Sequence, residues 1–408
     1  MILVRSYMVQ VNSKALNQSL NIGRLIGQLK SNEPGPTLIF TGGIHGNEPA
    51  GIFALDKVLK EIKEQHIQHK GNIYAISGNL WALERGVRYH REDLNRLWTS
   101  EKMEDLLTSR LEIKHEDIAQ QKEIYRVIRE ILDTEEGPFY FIDLHTTSSQ
   151  TTPFLTVNDS LLNRKFTTQY PVPMILGIEE YLDGPLLSYI NALGYVAFGY
   201  EGGQHDASFS VESMVSFIYL TLVFSGSIEK QAVDFEHYYQ FLLNASKASQ
   251  GIYEIFSRHE IKTGETFRMK EGFSNFQEIQ KGEALAESDG KTVGAASEGK
   301  IFMPLYQSQG NDGFFLIRKI PPVFLQLSAF LRKFHFDHVL PLLPGVRWLS
   351  DQHDALRVNQ NVARFFARQF FHLLGYRSRQ LDKNHLIMKN REAASREQEY
   401  QHTIWYKR

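Results

Sequence analysis

Residues 37–41 (TLIFT) are a short apolar, β-prone run that stops at Gly42-Gly43. After the loop GGIHGNE comes Pro49, whose fixed φ suits the start of a helix. Ile52, Phe53, Leu55, Val58, Leu59 and Ile62 then recur at helical spacing, so the order is strand, loop, helix. Residues 72–77 (NIYAIS) read as a second strand, ending in Gly78-Asn79. Residues 101–135 lack Pro and Gly and carry an apolar stripe in two parts, which predicts helix. Residues 139–144 (FYFIDL) are a continuous apolar run with one Asp, the mark of a strand buried on both faces. Residues 185–193 read as a helix and 195–200 (YVAFGY) as another buried strand. Strands alternating with helices predict an α/β fold with a mostly parallel sheet.

The pattern changes after about residue 250. From 260 to 320 the segments are short, strand-like and punctuated by glycine, as in a small β-rich domain. Residues 321–376 return to helical spacing, most clearly over Val358–Leu374 with Phe365, Phe366, Phe370 and Phe371. The expected domains are therefore 1–250 (α/β), 251–320 (β-rich) and 321–408 (a helical extension), with a polar tail from 377 of undefined structure.

Composition narrows the chemistry. With 408 residues the chain can bury a large core, and 42% hydrophobic with 23% charged residues is ordinary for a soluble protein. A formal net charge of −2 speaks against coating nucleic acid or an anionic membrane. There is no cysteine, so thiolate nucleophiles, iron–sulfur clusters and Cys-based zinc sites are excluded, while 15 histidines remain as metal donors. No signal peptide is evident, and no apolar run reaches the ~18–20 residues of a membrane span. The expectation is a cytoplasmic protein, with homo-oligomerisation left open.

In open α/β sheets ligands bind beyond the carboxyl ends of the strands. The loop after 37–41 presents His45 and Glu48, the loop after 139–144 presents His145, and the strand 195–200 ends on Glu201. His45, Glu48 and His145 make a His₂Glu set that leaves a fourth zinc position for water. HxxE alone is a weak signal; its placement among glycines and strand ends gives it weight. Glu201 is the candidate general base beside zinc-bound water, against the plainer reading of a strand-end Glu in a salt bridge. His205 and Asp206 follow as candidate supporting groups. In RYHREDLNR (88–96), Arg88, Asn95 and Arg96 suit an anionic end of a substrate, because Arg forks bind carboxylates. Arg85 and Arg91 read as a solvated charged loop, and Asp93 as the partner of an Arg or the cap of the next turn.

With these segments in place, the chain resembles the succinylglutamate desuccinylase/aspartoacylase family of the zinc carboxypeptidase-like superfamily. The resemblance rests on GGIHGNEPAG (42–51), NLWALERGVRYHREDLNR (79–96), DLHTTSS (143–149) and YEGGQHD (200–206), in the family's order. It extends to about residue 230, with GKIFMPLYQSQGNDGFFL resembling the family's C-terminal domain. The resemblance implies a zinc-carboxypeptidase-like sheet and one Zn²⁺ on His45, Glu48 and His145. It implies Glu201 as base and proton shuttle, Arg88, Asn95 and Arg96 as contacts for the substrate carboxylate, and Tyr306 as a residue lent by the C-terminal domain. The implied reaction is deacylation of a small anionic N-acyl amino acid. Residues 191–200 contain no Arg where some members carry one, which speaks against N-acetylaspartate and succinylglutamate as substrate. Two rivals are a zinc carboxypeptidase acting on peptides, favoured by a broad cleft, and a metal-binding interaction protein without catalysis.

Overall fold

The computed structural model describes residues 7–108, 113–349, 353–359, 373–380 and 385–407. A hairpin of β1 (Val9–Ser13) and β2 (Gln18–Ile22) precedes β3 (Leu25–Lys30) and β4 (Thr37–Gly42). Then follow α1 (Ala50–Glu64), β5 (Asn72–Ser77), α2 (Leu80–Arg85), α3 (Ser100–Leu107), α4 (Glu116–Thr134) and β6 (Phe139–Thr147). The α/β region continues through β7 (Phe154–Val157), α5 (Leu161–Thr167), β8 (Met174–Leu176), α6 (Leu186–Ala192), β9 (Val196–Gln204), α7 (Ser208–Phe224) and α8 (Phe235–Ala245).

β1 and β2 form a sheet of their own, and β3 to β9 belong to one 11-stranded mixed sheet. β5, β4, β6 and β9 run parallel at its centre, while β3 and β7 pair antiparallel on their outer sides. The continuous apolar runs are explained by burial on both faces. In β4, Leu38 and Phe40 enter the core that contains α1 and α7, whereas Ile39 enters the core that contains α4 and α6. β6 divides in the same way, with Tyr140, Ile142 and Leu144 on one side and Phe139 and Phe141 on the other.

The β-rich segment extends this sheet. It comprises β10 (Ile252–Glu260), β11 (Phe267–Met269), β12 (Glu278–Ile279), β13 (Ala284–Ser288), β14 (Lys291–Gly294), β15 (Gly299–Phe302) and β16 (Asp312–Lys319). β10 pairs parallel with β8, and β16, β15 and β12 follow outward, while β11, β13 and β14 form a separate three-stranded sheet.

Among the described residues, the extension expected to be helical over 321–408 is helical in α9 (Pro322–Lys333), in the 3₁₀ turns of Phe336–Leu342 and in two short helices at its end. Between these lies an antiparallel sheet of β17 (Val346–Trp348), β18 (Ala355–Asn359), β19 (Tyr376–Gln380) and β20 (His385–Asn390). Short apolar runs fit either period, and here pairing between distant strands decides for sheet. The phenylalanine run 365–371 lies outside the described residues.

The polar tail also departs from expectation. At the end of α10 (Glu397–Tyr400) and within α11 (Ile404–Lys407), Tyr400 and Trp405 enter the core of the α/β domain. The Tyr400 hydroxyl donates to the carbonyl of Phe139 at 2.5 Å and accepts from the Val196 N–H at 3.0 Å, bridging β6 and β9; Trp405 Nε1 donates to the Tyr140 hydroxyl at 2.8 Å. Trp405→Ala should therefore destabilise the α/β domain by about 3–5 kcal/mol, as aromatic truncation in a packed core does. A denaturant titration of the full chain checks this; an unchanged midpoint would place Trp405 outside the core. Among the described residues no helix is long and apolar enough to cross a membrane.

Candidate active site

His45 and Glu48 stand in the loop between β4 and α1. That loop lies backbone to backbone against α2, and a Cβ on Gly46 would collide with the Ala82 carbonyl group. Gly46→Ala is expected to displace the loop and reduce metal affinity by at least tenfold, measured by titration with a chelator-buffered metal. Wild-type affinity would remove the close approach from the argument.

The sequence reading put His145 on a loop and Glu201 at a strand end; both lie inside strands. β6 runs to Thr147 and β9 to Gln204, because β9 is paired on both edges, by β6 and β7. His145 and Glu201 are direct partners in the register of these strands and so share one face of the sheet.

His45, Glu48 and His145 are buried, with donor atoms within 4.8 Å of one another. Glu48 Oε1 lies 2.9 Å from His45 Nδ1, and Oε2 lies 3.0 Å from His145 Nδ1. The outer nitrogens are engaged as well: His45 Nε2 with Asp93 at 3.0 Å and His145 Nε2 with Asp143 at 2.7 Å. A carboxylate on the outer nitrogen orients a ligating imidazole and raises its basicity, leaving Nδ1 as the metal donor. Two imidazoles and a carboxylate, open on one side to a cleft, fit a divalent cation with a free coordination position.

Electrostatics follow from the crowding. Burial alone would raise the Glu48 pKa, but His45 and His145 overcome it and hold the carboxyl well below its usual range. Burial would lower that of His145; Asp143 and Glu48 outweigh it and raise it well above the ordinary imidazole value. Burial pushes Glu201 up to about 8, against the pull of His145, with Glu48 adding to the rise. Glu201 Oε2 and Arg88 Nε are buried without a hydrogen-bond partner, so both have capacity for a bound molecule.

The cleft has a volume of about 330 Å³. Arg88 lines it and reaches both Glu48 and Asp93 at 3.2 Å. Asp93 does both jobs expected of it, since it also accepts from the Asn95 N–H at 2.8 Å as the cap of the turn 94–96. Arg96 lines the cleft with one nitrogen 3.0 Å from Asp312 on β16, and Asp312 also accepts from Arg258 at 2.6 Å. Asn95 does not line the cleft; its side-chain oxygen accepts the Leu186 N–H at the start of α6. Arg91, assigned to a solvated loop, stands at the exposed mouth of the cleft.

Tyr306 turns away from the cleft. Its hydroxyl donates to the Lys270 carbonyl at 2.7 Å and accepts from the Phe273 N–H at 3.0 Å, and its ring packs on the core of the β-rich segment. Its neighbour Gln307 lines the cleft instead. Gln307 accepts from Asn47 at 2.8 Å, and Gln309 accepts from the Arg88 N–H at 3.1 Å, which clips the β15–β16 loop over the site. His205 bonds Thr146 at 2.7 Å and Gln307 at 3.2 Å, while Asp206 pairs with Lys14 at the surface. Asp312, Gln307 and Gln309 lie in the run 299–316 that resembles the family's C-terminal domain, and long-range strand pairing brings that run here.

Residues 34–218 match the Succinylglutamate desuccinylase/Aspartoacylase catalytic domain. A succinylglutamate desuccinylase of Pseudomonas fluorescens is 38% identical over 69 residues, 17% of this chain and 21% of that protein. One from Photorhabdus laumondii is 40% identical over 62 residues, 15% of this chain and 19% of that protein. The matched stretches thus span about a fifth of these curated relatives. The fold resembles the crystal structure of a succinylglutamate desuccinylase from Vibrio cholerae, with TM-score 0.51 and 17% identity, covering 76% of this chain and 90% of that one. A succinylglutamate desuccinylase/aspartoacylase from Rhodobacter sphaeroides aligns with TM-score 0.53 and 15% identity, over 77% and 94% of the two chains. Over residues 34–218 the chain is thus similar to the catalytic domain of the succinylglutamate desuccinylase/aspartoacylase family, and it shares the fold of these solved structures.

Proposed function

We propose that the protein is a zinc-dependent amidohydrolase that removes the acyl group from a small N-acylated amino acid. The observation that carries this reading is the His45–Glu48–His145 donor set with the unpartnered carboxyl oxygen of Glu201 beside it in one small cleft. A zinc ion on those donors would polarise the acyl carbonyl and acidify a water towards ~7.

The chain's own groups supply the remainder. Glu201 takes the proton of the attacking water at its carboxylate and hands it to the amine nitrogen as the C–N bond breaks. Arg88, with Nε free, donates to the oxygen on which negative charge develops. Arg96, aimed by Asp312, and Arg91 at the mouth face the carboxylate of the amino-acid half. The β15–β16 loop excludes water and narrows the entrance, so a cleft of about 330 Å³ suits a small acyl amino acid better than a peptide.

The test is release of free amine from a panel of N-acyl amino acids that varies acyl group and side chain, using zinc-loaded protein. Hydrolysis of at least one member is expected. No release across the panel by fully loaded protein would overturn the assignment and favour a binding role.

A further inference from the structure

The segment from Arg88 to Asp93 has no helix or strand, so its backbone N–H groups lack ladder partners and must find others. Three consecutive amides find the same one. Asp117, in the first turn of α4 and fully buried, accepts from the N–H of His90 at 3.0 Å, Arg91 at 2.7 Å and Glu92 at 3.0 Å. A fourth donor is Asn79 Nδ2 at 2.8 Å. Asn79 caps α2 at Ala82 and bonds by its own N–H to the Gly43 carbonyl, at the foot of the loop that carries His45. One carboxylate therefore fastens both loops of the site to α4. Burial would raise the Asp117 pKa, but the N–H bonds from Arg91, His90 and Glu92 outweigh it and hold the carboxyl below its ordinary range.

His90, His115 and Asp117 also lie close enough to hold a cation; His90 Nδ1 is buried without a hydrogen-bond partner, and His115 Nδ1 lies 3.2 Å from an Asp117 oxygen. The four N–H donors already fill the roughly four lone-pair positions that a carboxylate offers. The oxygens are thus committed to the backbone, and the cluster is an anchor.

We propose that Asp117 is the positioning residue that holds residues 88–93 in the shape that aims Arg88 at the reacting group and Asp93 at His45. The kinetic part rests on the deacylase reading; the structural part does not.

Amide hydrogen exchange on the zinc-loaded full chain tests it first. In the wild type, amides 90–92 should be strongly protected although they lie in an irregular loop, and free exchange there would overturn the proposal. In Asp117→Asn, which keeps volume and one acceptor oxygen, exchange over 88–94 should accelerate at least tenfold while β6 and β9 keep their protection. With a substrate that the wild type cleaves, kcat/KM should fall by about 10- to 100-fold, as for other supports of ligating or binding groups. Most of the change should lie in kcat, because Arg88 acts on the charge that develops in the reaction, and the pH profile should keep its shape because Glu201 is untouched. Unchanged exchange in folded D117N would overturn the proposal. So would loss of one of two bound zinc equivalents with the His45 site still filled, which would make Asp117 a ligand. Should the wild type cleave no N-acyl amino acid, the functional reading fails and the exchange data still decide the anchor.

Discussion

Glu201→Gln is expected to lower kcat by about 10²–10⁴-fold, the range in which a positioned acid–base group contributes, while zinc stays bound. Two features make this variant clean. Glu201 does not supply any of the three closely grouped donor atoms, so metal content should remain one per chain. Burial also pushes its carboxyl up to about 8, so in the metal-free protein at neutral pH it is mostly the neutral acid. Glutamine has nearly the shape of that neutral acid, so the melting temperature of the metal-free variant should match the wild type. What the amide cannot do is accept a proton from water and return it to the leaving amine. Steady-state amine release with zinc analysis on the same samples is the measurement. Wild-type turnover would remove Glu201 from the chemistry, and loss of zinc would make it a ligand.

Removing the metal should have the second large effect, and its size should depend on pH. In the metal-free protein Asp143 and Glu48 keep a proton on His145 well above the ordinary imidazole range. A cation must displace that proton, so binding should release protons to the buffer. The sign follows. The raised pKa stabilises the metal-free fold below the unfolded value of ~6.5, and that contribution is lost as pH rises through the folded value. The metal-bound state needs the neutral ring and gains as pH rises. The difference in melting temperature between loaded and chelated protein should be small at mildly acidic pH and grow towards alkaline pH. Free metal at a thousand times its Kd corresponds to about 4 kcal/mol. Calorimetry in buffers of different ionisation enthalpy should show proton release; its absence would mean that the His145 ring is already neutral before binding.

The site was legible in the sequence where its chemistry follows a local pattern. His45 and Glu48 are three residues apart after a strand end, His145 and Glu201 directly follow apolar runs that read as buried strands, and Asp93 immediately precedes the turn it caps. What stayed hidden depends on pairing between distant segments. Asp117 looks like any acidic residue in a first helical turn, and its four donors come from loops that lie upstream. Asp312 and Gln307 reach the cleft, and Gln309 the backbone beside it, because β10 joins β8 and carries β15 and β16 with it. Tyr306 was chosen from the correct loop, but alternation along that loop turns it outward and its neighbour inward. Val346–Trp348 and Ala355–Asn359 pair as strands although the spacing over 321–376 reads as helix, since period alone does not separate the two in short apolar runs.

The bridge that Tyr400 makes between β6 and β9 also sets an order of events during synthesis. Ribosomes deliver the chain from its N-terminus at about 5–20 residues per second, so the ligand loops and strands of residues 34–218 emerge long before Tyr400 and Trp405. Until those two residues clear the exit tunnel, the hydroxyl that ties the Phe139 carbonyl to the Val196 amide is missing, and one side of the Tyr140 ring is uncovered. The nascent α/β domain thus exposes apolar surface until its last two packing residues arrive. A bulky fusion placed directly after Trp405 should depress the yield of soluble protein more than the same fusion placed before β1.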